Sequence, residues 1–180
     1  MRGVFQAAER KFTAWRNGGG ETAEIAVSPA GADFETFDWR ISTAIVASDG
    51  PFSSFPNVDR VLTVIEGGPM RLSVGGEVHE LEAASPPLAF AGDQPCEAQL
   101  LGGPLLDFNV MIRRPLRAEV TRGPFTLPPP GAVARLALLM EPAAGLNPLD
   151  LVDLDACEPS LLQALEGAAV LTVSIWPLGL

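Results

Sequence analysis

The sequence predicts an all-β protein, an antiparallel sandwich or jelly roll with little helix. Apolar and polar residues alternate with period two over many short stretches, which is typical of strands with one buried face. The 18 glycines and 17 prolines separate these stretches at short intervals. Short strands divided by turn residues at this spacing favour antiparallel sheets that pack face to face.

The individual strands follow from this alternation. They are predicted at residues 24–28, 37–48, 60–66, 87–91, 106–113, 133–140 and 169–176. Gly75 and Gly76 predict a two-residue hairpin loop, because tight turns of this kind require positive φ angles. In that register Leu72 faces His79 and Met70 faces Leu81, so apolar positions agree across the pair. Residues 159–167 are compatible with a short helical turn.

A change in composition near residue 123 predicts the domain organisation. A proline-rich segment begins there, and eleven of the twelve basic residues precede it. We therefore expect a barrel over residues 1–122 that carries the polar side chains. A second, smaller half over residues 123–180 would consist mostly of packing residues. Two small barrels and one barrel completed by a sheet both fit, and an N-terminal strand that pairs with the C-terminal half would make them one inseparable unit.

Charge and composition exclude several classes of function. Twelve basic and 22 acidic residues give a formal charge of −10, which would repel nucleic acid phosphates. A single histidine cannot supply a metal site of two or three histidines, so we expect neither a metal nor another cofactor. No secretory signal is visible and no apolar run reaches the ~20 residues of a membrane span. These features predict a cytoplasmic protein that does not associate with membranes.

Enzymatic chemistry has few candidates in this chain. No serine lies in a Gly-x-Ser-x-Gly elbow, and the glycine-rich residues 17–22 lack the lysine and following hydroxyl residue of a phosphate-binding loop. We interpret that run as a backbone crossover, with ligand binding that includes Asn17 as the alternative. His79 and Asp59 are the candidate bases of a metal-free isomerase or lyase.

A binding pocket is better supported than a catalytic site. Arg40 and Ser42 alternate with apolar neighbours, and their face continues into small apolar residues, which suits a barrel interior better than open water. An interior arginine needs a counterion, either an anionic ligand or an internal aspartate. Asn109 shares a face with Asp107 in a similarly alternating strand. Convergence of these side chains with Asp59 or Arg60 would suit a small carboxylate, held by the arginine in a bidentate contact. The candidate ligand-binding residues are Arg40, Ser42, Asp59, Arg60, Asn109, Asn17 and Phe52.

The order of motifs resembles the HutD/Ves family. The matching blocks in chain order are Trp-Arg-Asn-Gly-Gly-Gly-Glu-Thr at 15–22, Asp-Trp-Arg-Ile-Ser-Thr-Ala at 38–44, Asp-Gly-Pro-Phe-Ser at 49–53, Asp-Arg at 59–60, Phe-Ala-Gly-Asp at 90–93 and Asp-Phe-Asn-Val-Met at 107–111. The resemblance implies a cupin-type β-barrel or jelly roll, in the form of a compact bicupin. It transfers no catalytic residue.

The same resemblance implies a link to histidine utilisation. Such a protein would bind an intermediate such as formylglutamate or formiminoglutamate and act in regulation rather than catalysis. The sequence therefore predicts a metal-independent cupin that binds a small anionic metabolite. The alternatives are a metal-free isomerase or lyase and a stress-related structural or protein-interaction protein, since the high apolar content also allows a homodimer interface.

Overall fold

The computed structural model describes residues 1–177 and confirms the all-β prediction. Its strands in chain order are β1 (Val4–Phe5), β2 (Thr13–Ala14), β3 (Gly20–Ser28), β4 (Trp39–Val46), β5 (Gly50–Pro51), β6 (Val58–Gly67), β7 (Met70–Val74), β8 (Glu77–Leu81), β9 (Leu88–Ala91), β10 (Cys96–Leu100), β11 (Leu105–Arg113), β12 (Arg117–Pro124), β13 (Ala134–Leu139), β14 (Leu151–Asp153) and β15 (Ala169–Trp176). A 3₁₀ turn covers Ala7–Glu9, and α1 covers Pro159–Ala164. All the pairings between these strands are antiparallel.

The chain divides into two compact units at a different place from the predicted boundary. The major unit is Lys11–Arg114, and the minor unit combines Met1–Arg10 with the chain from Pro115 onward. The predicted division between residues 122 and 123 falls inside β12, which pairs with β15 over its whole length. Because β12 pairs with β15 throughout, it belongs to the minor unit, and the boundary lies before Pro115. The pairing of β1 with β14 joins the N-terminal residues to the minor unit.

The major unit consists of two sheets. The first has six strands in the order β2-β3-β4-β11-β6-β9, and the second has four in the order β5-β10-β7-β8. Side chains of both sheets form one apolar cluster, among them Leu62, Leu72 and Ala98. The sheets therefore pack face to face, and we call the space between them the lumen. The hairpin at Gly75 and Gly76 is confirmed with the predicted register.

The minor unit is built on one five-stranded sheet, ordered β1-β14-β13-β15-β12. One face of this sheet packs in an apolar cluster with Phe125, Leu161 and Leu165, the last two belonging to α1 and its C-terminal cap. Pro159 starts the helix, where its missing N–H costs no hydrogen bond. The short helix predicted near residues 159–167 is therefore present and covers the apolar face of the sheet.

Candidate functional site

The polar side chains of the major unit meet on three adjacent strands, β4, β11 and β6. Register places Met111 of β11 between Arg40 of β4 and Arg60 of β6. Two residues back along β11, Asn109 lies opposite Ser42. Since side chains two residues apart along a strand share a face, all these groups point to the same side of the sheet. That side is the lumen, because Leu62 and Val64, two and four residues after Arg60 on β6, share its face and lie in the apolar cluster there.

Arg60 is the most unusual residue of this face. It is only 5% exposed, and within residues 1–177 its guanidinium forms no hydrogen bond or ion pair. Three aromatic rings surround it, with centroids 5.5 Å (Phe52), 5.7 Å (Phe55) and 5.4 Å (Phe90) from Cζ. Burial lowers the pKa of Arg60, while the charge of Asp107 opposes this shift. Cation–π contacts offset only part of the cost of burying a guanidinium, so Arg60 is a candidate anion-binding residue.

The path of the Arg60 side chain depends on Gly92. A Cβ built on Gly92 would lie 2.7 Å from the carbonyl oxygen of Val58 and 3.3 Å from Cγ of Arg60. The backbone N–H of Gly92 also donates to that carbonyl, at 2.7 Å. A side chain at residue 92 would thus force the turn and the arginine stem apart. The Phe-Ala-Gly-Asp block therefore supplies both an aromatic wall, Phe90, and the space for Arg60.

Arg40 lies on the same face but already has a counterion. Its Nε donates to Glu24 Oε2 of β3 at 2.8 Å, and its Cζ lies 4.5 Å from the centroid of Phe34. An interior arginine is expected to need either an anionic ligand or an internal acidic partner. Arg40 has an internal partner, Glu24. Arg60 forms no ion pair with an acidic residue within residues 1–177. The two arginines therefore differ in their availability to a ligand.

Three further polar side chains line the lumen. Ser42, Asp107 and Asn109 are 1%, 2% and 7% exposed. Asn109 Oδ1 and Asp107 Oδ1 have no hydrogen-bond partner within residues 1–177. A buried polar atom left without a partner costs free energy, and such atoms in a native fold call for a functional explanation. These groups and Arg60 form the candidate site.

Asp59 does not join this group. Adjacent residues of a strand face opposite sides, so Asp59 projects away from Arg60, and its side chain is 39% exposed. Nε of Arg114 donates to Asp59 Oδ1 at 3.0 Å, and Nη1 of Arg114 donates to Asp93 Oδ2 at 2.9 Å. The hydrogen bonds with Arg114 lower the pKa of Asp93. Of the pair Asp59 and Arg60, only Arg60 lies in the lumen.

The two remaining candidates have different surroundings. Phe52 packs edge-to-face on Trp15 with centroids 6.1 Å apart and forms part of the aromatic wall of Arg60. Asn17 is exposed, and its Oδ1 accepts the N–H of Gly19 at 2.9 Å within a local turn. Gly20 supports the predicted crossover, because a Cβ there would lie 2.3 Å from the carbonyl oxygen of Ile45. The structure does not bring Asn17 to the lumen residues.

Several contributing residues were not singled out from the sequence. Phe55 and Phe90 complete the aromatic wall, Glu24 holds Arg40, and Asp107 lies among the unpartnered groups. Asp107 could have been found, since it has the same alternation as Asn109. Within residues 1–177 no cluster of three or more His, Cys, Asp or Glu side chains is arranged to hold a metal ion. In the same residues no helix has the length and apolar character needed to cross a membrane.

Comparison with known proteins gives consistent matches. The HutD family model matches residues 7–135. The Ves protein of Cronobacter sakazakii is 42% identical over 118 residues, which cover 64% of this chain and 64% of that protein. The chain thus matches less than two thirds of the length of that relative. The structure of HutD from Pseudomonas fluorescens SBW25 in a formate condition has a TM-score of 0.79 and 28% identity, over 99% of this chain and 100% of that one.

A more distant match concerns the fold alone. The bacterial pirin YhhW of Escherichia coli, solved in complex with nickel(II), has a TM-score of 0.63 and 13% identity over 98% of this chain and 99% of that chain. The predicted cupin-type fold is confirmed, while its description as a bicupin stays a prediction. Because the family model covers most of the chain and the ordered motifs agree with it, the chain belongs to the HutD/Ves family.

Proposed function

We propose that this protein is a metal-independent cupin that binds a small carboxylate metabolite in the lumen of the major unit. The observation that carries the proposal is the buried guanidinium of Arg60, which has no hydrogen-bond or ion-pair partner within residues 1–177. Asp107 attracts it electrostatically without an ion pair between them. A ligand carboxylate would supply two oxygens to the guanidinium in the bidentate geometry that arginine favours.

The neighbouring groups support the same ligand class. Asn109 and Ser42 lie opposite each other on the lumen face and could orient the rest of the ligand through amide and hydroxyl hydrogen bonds. Phe52, Phe55 and Phe90 offer apolar contacts to a short carbon chain and keep water from the guanidinium. A charged anchor, a few polar contacts and an apolar wall together suit a small organic acid.

The identity of the ligand is proposed from the family. A glutamate derivative of histidine degradation, such as formylglutamate, carries carboxylates for Arg60 and an amide for Asn109. In a regulatory role, the protein would report the concentration of this intermediate rather than convert it. The arrangement of the two proposed catalytic bases supports this role: Asp59 is held by Arg114, and His79 lies on the edge strand β8 rather than on β4, β11 or β6.

Calorimetric titration with formylglutamate, formiminoglutamate and urocanate tests the proposal. We expect saturable binding of at least one carboxylate, and we expect Arg60→Met to weaken it about 100-fold or more, since losing a buried charged hydrogen-bond partner costs several kcal/mol. Arg71→Met is the matched control, because Arg71 on β7 is half exposed and faces Glu80 at 3.5 Å. The control should bind like the unmodified protein.

Thermal unfolding of the same variants separates binding from folding. Replacing a buried charge by an apolar side chain of similar volume is often neutral or stabilising. Arg60→Met should therefore unfold at the same temperature as the unmodified protein or higher, although its binding is lost. No saturable heat with any of the three acids, or equal affinity in Arg60→Met, would refute the proposal.

A further inference from the structure

Asp107 is a buried acid that the fold leaves without a full set of partners. It lies on β11 and is 2% exposed, and its Oδ1 has no hydrogen-bond partner within residues 1–177. No ion pair joins it to a cation in the same residues. Register places its side chain between Ala44 of β4 and Val64 of β6, on the lumen face that also holds Asn109. Its position is therefore that of a ligand-facing group.

The charges around Asp107 come from several strands. Arg60 faces it from β6, and Arg40 lies on the same face of β4 with Glu24 of β3 as its partner. Cys96 of β10 lies in the adjoining apolar cluster, and burial raises the pKa of its thiol. Burial also raises the pKa of Asp107 to about 7, against the opposing effects of Arg60 and a backbone hydrogen bond at Ala44. The desolvation of the carboxylate thus outweighs its attraction to Arg60.

We propose that Asp107 binds the ligand as a neutral carboxylic acid, donating its O–H to an oxygen of the carboxylate, so that ligand binding takes up one proton from solution. This inference rests on the proposed function. A carboxylate beside Arg60 adds a negative charge next to Asp107, and like charges in a buried site disfavour ionisation of both. The protonated acid and the Arg60 guanidinium are donors, which match the acceptor oxygens of a carboxylate, while the unpartnered Oδ1 of Asn109 can accept an N–H of the ligand.

This assignment narrows the ligand class. A neutral acid and a guanidinium present donors to one space, so the bound group must offer several acceptor oxygens. A carboxylate does this with its two oxygens, whereas an ammonium group would leave the donors unpaired at a large cost. Asp107 is therefore a specificity-determining residue that couples recognition of the anion to pH.

Titration with formylglutamate between pH 6 and 8.5, in pairs of buffers with different ionisation enthalpies, measures the proton uptake directly. Both carboxylates of this ligand are ionised over the whole range, so its own titration does not contribute. We expect uptake approaching one proton per ligand at pH 8, and affinity that falls about tenfold per pH unit above 7. Asp107→Asn keeps an N–H donor at the same place but cannot ionise, so its own affinity should vary by less than about threefold between pH 6 and 8.5, and its binding should take up no proton.

His79→Gln is the matched control, because His79 is the single histidine of the sequence and lies on β8 of the four-stranded sheet. It should keep the pH dependence of the unmodified protein. Binding without proton uptake at pH 8, an unchanged pH dependence in Asp107→Asn, or its loss in His79→Gln would overturn the inference and leave the proposed function intact. Absence of binding at every pH would contradict the proposed function itself and this inference with it.

Discussion

The two units each bury an aspartate, and the two carboxylates have opposite surroundings. Asp150 in the minor unit and Asp107 in the major unit are both 2% exposed. Asp150 accepts the backbone N–H of Ala7 at 2.7 Å and that of Asn147 at 2.9 Å. Asp107 retains an oxygen without a partner. Equal burial therefore corresponds to a satisfied structural role in one unit and to the proposed ligand-binding role in the other.

The arginines show the same contrast. Arg135 of the minor unit is bound to Asp155 and donates to the carbonyl oxygen of Pro128 at 2.9 Å, whereas Arg60 of the major unit has no such partner within residues 1–177. Polar groups that are satisfied inside the chain stabilise a particular fold, and those left unsatisfied lower its stability. If the proposed ligand supplies the missing partners, the unpartnered groups of the lumen are an example of stability given up for binding.

The largest change in stability is expected at Asp150, the buried aspartate whose oxygens both accept hydrogen bonds. Asp150→Ala should lower the free energy of unfolding by about 3 kcal/mol, because it leaves the buried N–H groups of Ala7 and Asn147 without their acceptor. Urea denaturation at neutral pH measures this. A loss below about 0.5 kcal/mol would mean that Asp150 does not anchor the N-terminal residues.

Asp107→Asn should raise the free energy of unfolding, in contrast to Asp150→Ala, and the size of this gain should depend on pH. The folded state raises the pKa of Asp107 to about 7, whereas the carboxyl group of the unfolded chain releases its proton near pH 4. Between about pH 4 and 7 the folded protein therefore holds a proton that the unfolded chain has lost. Stability from this group therefore falls as pH rises through that window and levels off above it. Relative to the unmodified protein, the variant should gain about 2 to 3 kcal/mol between pH 5 and pH 8 in urea denaturation. Parallel pH profiles of the two proteins would show that Asp107 is not a destabilising acid.

Gly92→Ala should give a smaller effect that is specific to the site. Its Cβ would clash with Val58 and press on the stem of Arg60, so we expect a loss of about 1 to 2 kcal/mol in stability and weaker ligand binding. Gly123→Ala is the matched control, because nothing lies within 4 Å of a Cβ at that strand position of the minor unit. Equal stability and equal ligand affinity in the two variants would show that Gly92 is not needed to make space for Arg60.

Much of the site could be predicted from alternation alone. Counting by two placed Arg40 and Ser42 on one face of their strand and Asn109 with Asp107 on one face of another, and the glycine pair set the register of the β7–β8 hairpin. Alternation could not choose between Asp59 and Arg60, because the sequence does not say which face of β6 meets the lumen. It also missed the pairing of Arg40 with Glu24, since β3 shifts register between Glu24 and Ala26.

The domain boundary was missed for a related reason. Strand β12 is an edge strand with many exposed residues and ends in Gly123 and Pro124, so its sequence is typical of a connector. Proline is tolerated at the end of an edge strand, where its missing N–H leaves no ladder bond unmade. Long-range pairing with β15, rather than local composition, decides where the chain belongs. Such pairing cannot be deduced from β12 by itself.

A crystal structure of the protein soaked with formylglutamate would test directly whether Arg60 binds a carboxylate in the lumen. We expect a carboxylate within hydrogen-bond distance of the Arg60 guanidinium, with Asn109 and Asp107 also contacting the ligand and the Arg40–Glu24 pair intact. The same soak of Arg60→Met should show no ligand there. A lumen without ligand at a concentration that saturates the calorimetric titration, or a ligand carboxylate held by Arg40 after displacement of Glu24, would contradict this expectation.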